Sequence, residues 1–341
     1  MDRKRLFSKM KDFPKVDLHR HLEGSILPET LLKIAKKHGG VLPAYELDQL
    51  RPLVQMIYDP PGFNNFLDKF KVFRGFYPGR HAIEEVAYTA VKEAAEDNVK
   101  YLELRYSPSH FACSGRFRES DVIEWIQGAI ERACREFDII VIPLLTISRD
   151  YGVDLATSTV ELATKMPPGF FYGLDIAGNE IENSAKPFSE LFDMAKRSGF
   201  GLTIHAGEAC GATNVREAVI HFNADRVGHG IRSVEDETVI ELLRKKKRML
   251  EVCLSSNLHT GAIPSIKSHP VRKLMEYGVP VSLNTDDPAI SAITLTGEYV
   301  LAVTELGFNE DDLKALNRAA LEHAFYPDKE KLKEKLSYYW D

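Results

Sequence analysis

Histidines and carboxylates recur in this sequence at spacings that could support metal chemistry. His19 and His21 are two residues apart in KVDLHRH (15–21), and His205 is followed three residues later by Glu208 in HAGE. Side chains at i and i+2 leave a strand on the same face, so the first two imidazoles can point to one spot. Neutral imidazole and carboxylate groups suit zinc or a similar divalent ion. The pattern indicates a metal ligand beside a proton donor, although either pair alone could be polar groups satisfied at a strand end.

Further polar residues of the same kinds lie later in the chain. His229 ends the segment RVGH, and Asp286 and Asp287 stand together in NTDDPA. Neighbouring side chains on a strand point in different directions. One aspartate would therefore reach a metal, and the other would be free to bond to a substrate. Taken alone, Asp-Asp-Pro is better explained as a turn that caps the following segment.

Short apolar runs alternate with helical patterns along the chain. We predict strands at 15–21, 99–107, 139–147, 169–178, 199–207, 225–230, 248–256 and 279–287. We predict helices at 82–98, 119–137, 187–199 and 269–278. This alternation predicts one α/β domain over residues 1–341, a (β/α)8 TIM barrel. An open doubly wound sheet is the alternative, but the chain has no G-x-G-x-x-G or P-loop sequence to support it.

In such a barrel the candidate residues meet at one place. His19 and His21 lie in the first strand, and His205, His229 and Asp286 lie at the ends of the fifth, sixth and eighth. The C-terminal ends of the strands form the mouth where active sites of these barrels lie. Packing gives no reason for such costly polar groups to collect there. We therefore predict a metal site at the mouth.

The bulk composition excludes several other classes of protein. The 341 residues carry a net charge of −6 with mixed signs, and the isolated basic run RKKKR (244–248) is best explained as a solvated helix end. We therefore expect no nucleic-acid partner. The four cysteines form no CxxC pair, which argues against a cysteine zinc site and a disulfide framework. No secretory signal or membrane-spanning run is present, so we expect a cytoplasmic protein that does not bind membranes.

Several motifs together resemble a known family. PKVDLHRHLEGS, HAGE, RVGHG and SLNTDDPA occur in this order, with YLELRYSP, GLDIAGNE and CLSSNLHTGA between them. They resemble the adenosine/adenine deaminase family of metal-dependent amidohydrolases from about residue 14 to about residue 325. NTDDPAIS and NLHTGA are more similar to the members that act on adenosine. The resemblance implies the barrel fold predicted above, with extra helices over its mouth.

The resemblance also implies a role for each matching residue. One Zn²⁺ per chain would be bound by His19, His21, His205 and Asp286. Glu208 would donate a proton to the purine, and His229 would orient the water at the metal and help to deprotonate it. Substrate contacts would come from His21, Glu23, Gly178, Asp287, Phe63, Phe66 and Leu67.

The resemblance is more specific about several of these substrate contacts. Asp287 would bond to N7 of the purine and the backbone of Gly178 to N3. Glu23 stands where the adenosine enzymes usually have Asp, which contacts the ribose 5′-hydroxyl. The segment GFNNFLDKF (62–70) resembles a helical lid, although its aromatic stripe alone would suggest a helix that faces the core.

The implied reaction is zinc-dependent hydrolysis of adenosine and 2′-deoxyadenosine to inosine or deoxyinosine and ammonia. Another deaminase of the same fold, acting on adenine, an N6-substituted AMP or aminodeoxyfutalosine, is the first alternative. A nucleoside-binding protein without activity is the second, but such a protein would be expected to have lost a ligand or the acid. Oligomeric state is not determined by the sequence.

Overall fold

Eight parallel strands follow one another around a ring in the computed structural model, which describes residues 2–112 and 116–340. The strands are β1 (Lys15–His21), β2 (Val99–Tyr106), β3 (Ile140–Ser148), β4 (Gly173–Ala177), β5 (Gly201–Ala206), β6 (Arg226–His229), β7 (Met249–Val252) and β8 (Val281–Leu283). Each strand pairs in parallel with the next. The predicted α/β class and (β/α)8 barrel are confirmed, and each strand lies inside or within one residue of its predicted range. Cys113 lies outside the described residues.

Helices separate the strands and cover the outside of the ring. They are α1 (Arg3–Asp12), α2 (Pro28–His38), α3 (Leu47–Val54), α4 (Phe63–Asp68), α5 (Phe70–Arg74), α6 (Arg80–Glu96), α7 (Pro108–Phe111), α8 (Glu119–Glu136), α9 (Val153–Lys165), α10 (Ser189–Arg197), α11 (Ala212–Ile220), α12 (Glu237–Lys246), α13 (Leu254–His259), α14 (Val271–Glu276), α15 (Leu295–Leu306), α16 (Glu310–His323) and α17 (Lys329–Leu336). Five of them, α2 to α6, lie between β1 and β2, where a barrel of minimal size needs one. The basic run 244–248 does lie at a helix end, since α12 ends at Lys246.

The outer helices form an apolar layer against the barrel. In α8, for example, Val122, Ile126 and Ile130 are all buried and lie four residues apart on one helical face. Burial of such faces is the main stabilising contribution to a chain of this size. Within the described residues no helix is both long and apolar enough to cross a lipid bilayer.

The ring closes through the residue that follows β8 by three positions. The backbone N–H of Asp286 donates to the carbonyl of His19 at 2.7 Å, and the N–H of His21 donates to the carbonyl of Asp286 at 2.9 Å. Asp286 has φ +65°, a left-handed conformation outside the β region. The predicted eighth strand, 279–287, is therefore too long: β8 ends at Leu283, and both aspartates lie in the loop after it. The closing hydrogen bonds place Asp286 directly beside the two histidines of β1.

Candidate active site

The histidines and the aspartate predicted as metal ligands converge at the C-terminal mouth of the barrel. Nε2 of His21 lies 3.2 Å from Nε2 of His205. Oδ1 of Asp286 lies 3.1 Å from Nε2 of His19 and 3.5 Å from Nε2 of His21. His229 belongs to the same cluster, because it offers a ligand atom within 4.8 Å of those of His19, His205 and Asp286. The structure thus brings together all four predicted ligands and a fifth candidate.

Carboxylates behind His19 and His205 each bond to one ring nitrogen and so turn the other ring nitrogen toward the cluster. Oε2 of Glu251 lies 2.7 Å from Nδ1 of His19, and Oδ1 of Asp175 lies 2.9 Å from Nδ1 of His205. A metal-binding histidine typically bonds to a carboxylate through its other nitrogen in this way. Nε2 of His19 is buried, and its 3.1 Å approach to Oδ1 of Asp286 does not have the geometry of a hydrogen bond. This donor set fits a divalent ion such as zinc.

A serine hydroxyl group orients the carboxylate of Asp286. The hydroxyl of Ser256, in α13, donates to Oδ2 of Asp286 at 2.6 Å. This bond occupies one carboxylate oxygen and leaves Oδ1, the oxygen nearest to His19 and His21, available for a metal. Asp286 is therefore oriented to offer a single oxygen.

The two carboxylates behind the histidines are joined by one arginine inside the barrel. Arg105, in β2, places one terminal nitrogen 2.8 Å from Oε2 of Glu251 and the other 3.1 Å from Oδ2 of Asp175. All three side chains are fully buried. A buried charge is costly unless it is paired, and here each charge is paired and hydrogen-bonded. The barrel interior thus holds a rigid charged layer under the metal cluster.

The turn that carries Glu208 is fixed by a buried carboxylate from the loop after β4. Glu180 accepts hydrogen bonds from the backbone N–H groups of Gly207, Glu208, Ala209 and Cys210, at 2.8 to 3.3 Å. Gly207 has φ +68°, and a Cβ there would lie 2.3 Å from Val215. The glycine of HAGE therefore permits both the tight turn and its close packing. This turn brings Glu208 back over the strand end that carries His205.

Glu208 lies beside His229, and both groups favour their uncharged forms. Oε2 of Glu208 lies 3.5 Å from Nε2 of His229. Burial, with the nearby Asp286 and Glu180 carboxylates, raises the pKa of Glu208 well above its ordinary value. Burial also holds the pKa of His229 well below its ordinary value. A neutral carboxyl group can donate a proton, as the sequence predicted for Glu208.

Asp287 is the second buried carboxyl group with an unpartnered oxygen at this mouth. Its Oδ1 has no hydrogen-bond partner among the described residues. Burial, together with Asp286 and Glu23, raises the pKa of Asp287 well above its ordinary value. A Cβ on Gly24 would lie 1.8 Å from Oδ1 of Asp287, so the glycine of HLEGS leaves the space that this carboxyl group occupies.

A cavity of about 790 Å³, counting its open mouth, joins these groups to the α4–α5 segment. Its apolar wall contains Phe63, Phe66, Leu67 and Phe70, and its polar walls contain Glu208, Asp287 and the backbone at Gly178. The three predicted lid residues do face the site, although Phe66 is also part of the core. Gly178 has φ +98° and a Cβ there would lie 2.6 Å from Asp150, so this wall requires glycine.

Glu23 lines the cavity together with other polar side chains. Its Oε1 accepts a hydrogen bond from the backbone N–H of Ser107 at 2.6 Å, and its Oε2 has no partner among the described residues. His110 Nε2 and Thr146 Oγ1 also line the cavity, buried and without partners among the described residues. Burial raises the pKa of Glu23 to about 7. Although Glu23 lies beyond the end of β1, its side chain does face the cavity, as predicted.

Several residues that build the site were not identified from the sequence. They are Gly24, Arg105, Asp175, Glu180, Glu251, Ser256, Asn257 and His269. Glu251 and Asp175 did leave a signal, because each is the lone acidic residue in an otherwise apolar strand. Such a residue is costly unless it is paired. Glu180, Asn257 and His269 come from loops and short helices, and sequence spacing does not show where their side chains point.

The fold is that of an amidohydrolase barrel. A zinc-bound amidohydrolase from Burkholderia ambifaria is 24% identical, covers 100% of this chain and 92% of its own, and superposes with a TM-score of 0.87. The N6-methyl-AMP deaminase of Arabidopsis thaliana is 27% identical, covers 98% of both chains, and has a TM-score of 0.84. The likeness to the former shows the shared fold.

Sequence comparison then gives the family. Residues 14–337 match the family model described as adenosine deaminase. A protein of Aliivibrio fischeri named adenosine deaminase is 36% identical over 323 residues, 94% of this chain and 96% of the relative. One of the same name from Vibrio parahaemolyticus is 33% identical over 328 residues, 96% of this chain and 98% of the relative. The chain belongs to the adenosine deaminase family, whose members are metal-dependent hydrolytic deaminases.

Proposed function

We propose that this protein hydrolyses adenosine and 2′-deoxyadenosine to the corresponding inosine and ammonia, with residues 1–341 acting as one domain. The observation that carries the proposal is the placement of two buried carboxyl groups, Glu208 and Asp287, in one cavity with the metal cluster. Each has an oxygen without a partner among the described residues and a raised pKa. Two neutral carboxyl groups can each donate a hydrogen bond to a purine ring nitrogen.

We assign one Zn²⁺ to the site formed by His19, His21, His205 and Asp286. A bound zinc ion would lower the pKa of a water molecule toward neutrality and so supply hydroxide at physiological pH. The geometry of the donor set supports this assignment, since Glu251 and Asp175 orient two of the imidazoles from behind. The identity of the ion and its number per chain belong to the proposal.

The side chains around that site would supply the rest of the chemistry. Aminopurine is a poor electrophile, and a proton from Glu208 to N1 makes C6 open to attack. Asp287 would donate to N7, and the Gly178 backbone would contact N3. His229 would orient the attacking water. The oxygen of water forms a bond to C6, and the bond from C6 to the amino nitrogen then breaks. N1 keeps the proton from Glu208. Of the two protons that the water oxygen gives up, one goes to the amino group, which leaves as ammonia, and the other restores Glu208.

The walls of the cavity favour a nucleoside over a free base. Phe63, Phe66 and Leu67 offer an apolar surface for the flat purine. Glu23 Oε2 and Thr146 Oγ1 offer partners for hydroxyl groups, which adenine lacks. The charged form of Glu23 would repel a 5′-phosphate, and the apolar lid would hold water away from the reacting carbon.

One observation favours a second candidate, deamination of an N6-substituted AMP. Arg74 lines the same cavity, and its guanidinium carbon lies 4.7 Å from the centre of the Tyr151 ring. A guanidinium group is a common partner for phosphate. The N6-methyl-AMP deaminase of Arabidopsis thaliana shares the fold over nearly the whole chain.

A deamination screen separates these candidates. Purified, zinc-loaded protein is incubated with adenosine, 2′-deoxyadenosine, adenine, AMP, N6-methyl-AMP and aminodeoxyfutalosine. The amine released is measured, which is methylamine from N6-methyl-AMP and ammonia from the other five. We expect the highest kcat/KM with the first two. A higher value with N6-methyl-AMP would establish the second candidate, and amine release from none of the six would overturn the proposed reaction.

Metal dependence is tested in the same assay. Exhaustive chelation should abolish activity, and added Zn²⁺ should restore it. His205→Ala should lose activity together with most of its bound zinc, because it removes one of the ligands. Full activity after chelation would contradict the zinc mechanism.

A further inference from the structure

A chain of hydrogen bonds leads from the backbone after β7 to His229. Nδ2 of Asn257 lies 3.0 Å from Nδ1 of His229, and Oδ1 of Asn257 lies 3.2 Å from Nε2 of His269. The backbone N–H of Val271 donates to Nδ1 of His269 at 3.1 Å. Asn257 is in α13, and Val271 is the first residue of α14. The side chains of His229, Asn257 and His269 are all buried.

The group at one end of this series can act only as a donor, and this determines the direction of each of the other hydrogen bonds. The N–H of Val271 can only donate, so Nδ1 of His269 must accept. Burial lowers the pKa of His269 to about 3, so the ring is neutral and carries its one hydrogen on Nε2. That hydrogen can be donated only to an acceptor, which requires the carbonyl oxygen of Asn257 to face His269. The opposite orientation of the amide would place two donors against each other.

The amide orientation in turn determines the tautomer of His229. With its oxygen toward His269, Asn257 presents its NH₂ group to Nδ1 of His229, which must accept. A neutral imidazole has one accepting and one donating nitrogen, so the hydrogen of His229 is on Nε2. That atom lies 3.5 Å from Oε2 of Glu208 and 3.9 Å from Oδ2 of Asp286. It faces the site of the reaction.

We propose that Asn257 and His269 are positioning residues that hold His229 in the tautomer with its hydrogen on Nε2. His229 then meets the attacking oxygen as a hydrogen-bond donor. In this tautomer Nε2 has no lone pair with which to remove a proton from water, so His229 orients the water and does not deprotonate it. This inference rests on the proposed function only for its catalytic consequence, because the tautomer itself is a property of the folded protein.

The tautomer is measured directly by long-range ¹H–¹⁵N NMR spectra of the zinc-loaded protein with ¹⁵N-labelled histidine. The signals of His229 and His269 are assigned by their loss in His229→Asn and His269→Gln. We expect both rings to carry hydrogen on Nε2. A hydrogen on Nδ1 of His229 would overturn the proposal whether or not the protein deaminates any purine. A parent protein with the expected tautomer and no turnover would instead contradict the proposed function.

Asn257→Asp tests the catalytic consequence of this tautomer. Asn257→Asp replaces the donor with an acceptor, so His229 should move its hydrogen to Nδ1. We expect kcat to fall by about 10- to 100-fold, the usual effect of losing such a partner, with KM and zinc content nearly unchanged. Parental kcat together with a switched tautomer would contradict the proposal.

Two variants at His269 provide a further test in case Asn257→Asp does not fold. His269→Gln can accept from Val271 with its oxygen and donate to Asn257 with its amide, as the histidine does. His269→Leu can do neither. We expect glutamine to keep most of the parental kcat and leucine to lower it about tenfold or more, within the same range. Equal kcat in the two folded variants would show that His269 only fills space and would overturn its part in the proposal.

Discussion

Glu251 stands directly behind His19, with its Oε2 2.7 Å from Nδ1 of the imidazole. The same carboxylate bonds to Arg105 at 2.8 Å and to Arg226 at 2.6 Å, so it joins the metal cluster to the charged interior of the barrel. Because both groups are fully buried, water cannot replace either partner. The orientation of the metal-binding nitrogen therefore depends on a residue of β7, two strands away from β1 in the ring.

We expect Glu251→Gln to weaken zinc binding by about 10- to 100-fold, because an amide holds the imidazole less firmly and does not increase its basicity. A competition titration with a chromophoric chelator measures this affinity, and circular dichroism checks that the variant is folded. Glu241→Gln, at a half-exposed position of α12, is the control. Unchanged zinc affinity in folded Glu251→Gln would show that the carboxylate does not act on the metal site.

Replacement of the proposed acid should separate catalysis from metal binding. Glu208→Gln keeps the shape of the side chain but cannot donate a carboxylic proton. We expect kcat on adenosine to fall by at least about 10²- to 10⁴-fold, the range for general acid–base catalysis, with zinc content retained. Glu330→Gln, at an exposed position, is the control. A rate within about tenfold of the parent would exclude Glu208 as the proton donor.

A substitution at Gly24 tests whether the position of the Asp287 carboxyl group matters for catalysis. A Cβ on Gly24 would lie 1.8 Å from Oδ1 of Asp287, so Gly24→Ala must displace the carboxyl group. Displacement of a catalytic group by about 1 Å can cost about 10²-fold in rate, and we expect a loss of that order in kcat/KM. Gly128→Ala, in α8 with no atom within 4 Å of the added Cβ, is the matched control. Equal activity of the two variants would remove Asp287 from the substrate site.

Glu23 should determine how the enzyme treats the 5′ end of the sugar. Its Oε2 has no partner among the described residues, so it can accept a hydrogen bond from the 5′-hydroxyl. We expect the parent to prefer adenosine over 5′-deoxyadenosine in kcat/KM, and Glu23→Gln to lose much of that preference. AMP should be rejected by the parent because of like-charge repulsion. Equal efficiencies of the parent on the two nucleosides would place Glu23 outside the contact.

A buried glutamate in α15 should make stability depend on pH. Burial raises the pKa of Glu298 to about 7, whereas it is about 4.5 in an unfolded chain. Between these values the folded state holds a proton that the unfolded state has released, so the contribution of this group to stability is lost as the pH rises. The loss is of the order of 3 kcal/mol at most, since one pKa unit corresponds to about 1.4 kcal/mol.

Urea unfolding at several pH values between 5 and 7.5 measures this effect. The difference in unfolding free energy between the parent and Glu298→Gln should change in favour of the variant as the pH rises. Glu334→Gln, at an exposed position of α17, should show no such trend. A difference that stays constant over this range would contradict the raised pKa.

The sequence by itself determined the barrel and the main members of the site. Strands buried on both faces are short apolar runs, and the alternation of these runs with helices is typical of a (β/α)8 barrel. Because the C-terminal ends of parallel strands meet at one mouth, the positions of His19, His205 and His229 were sufficient to predict that they converge. The residue pattern also singled out Glu208 and the aspartate pair, and the family motifs then gave Glu208 and Asp287 specific roles. These proposed roles agree with their position in one cavity.

Only the tertiary structure decided how these groups are held. Asp286 reaches the histidines through a left-handed turn after β8, and local sequence patterns do not determine that conformation. Glu251, Asp175 and Glu180 act from other strands and loops on residues that lie between 27 and 232 positions away in the chain. Contacts of this kind depend on how the whole ring closes. Periodicity in the sequence predicts which residues are buried, but it does not predict which buried charged groups pair with each other.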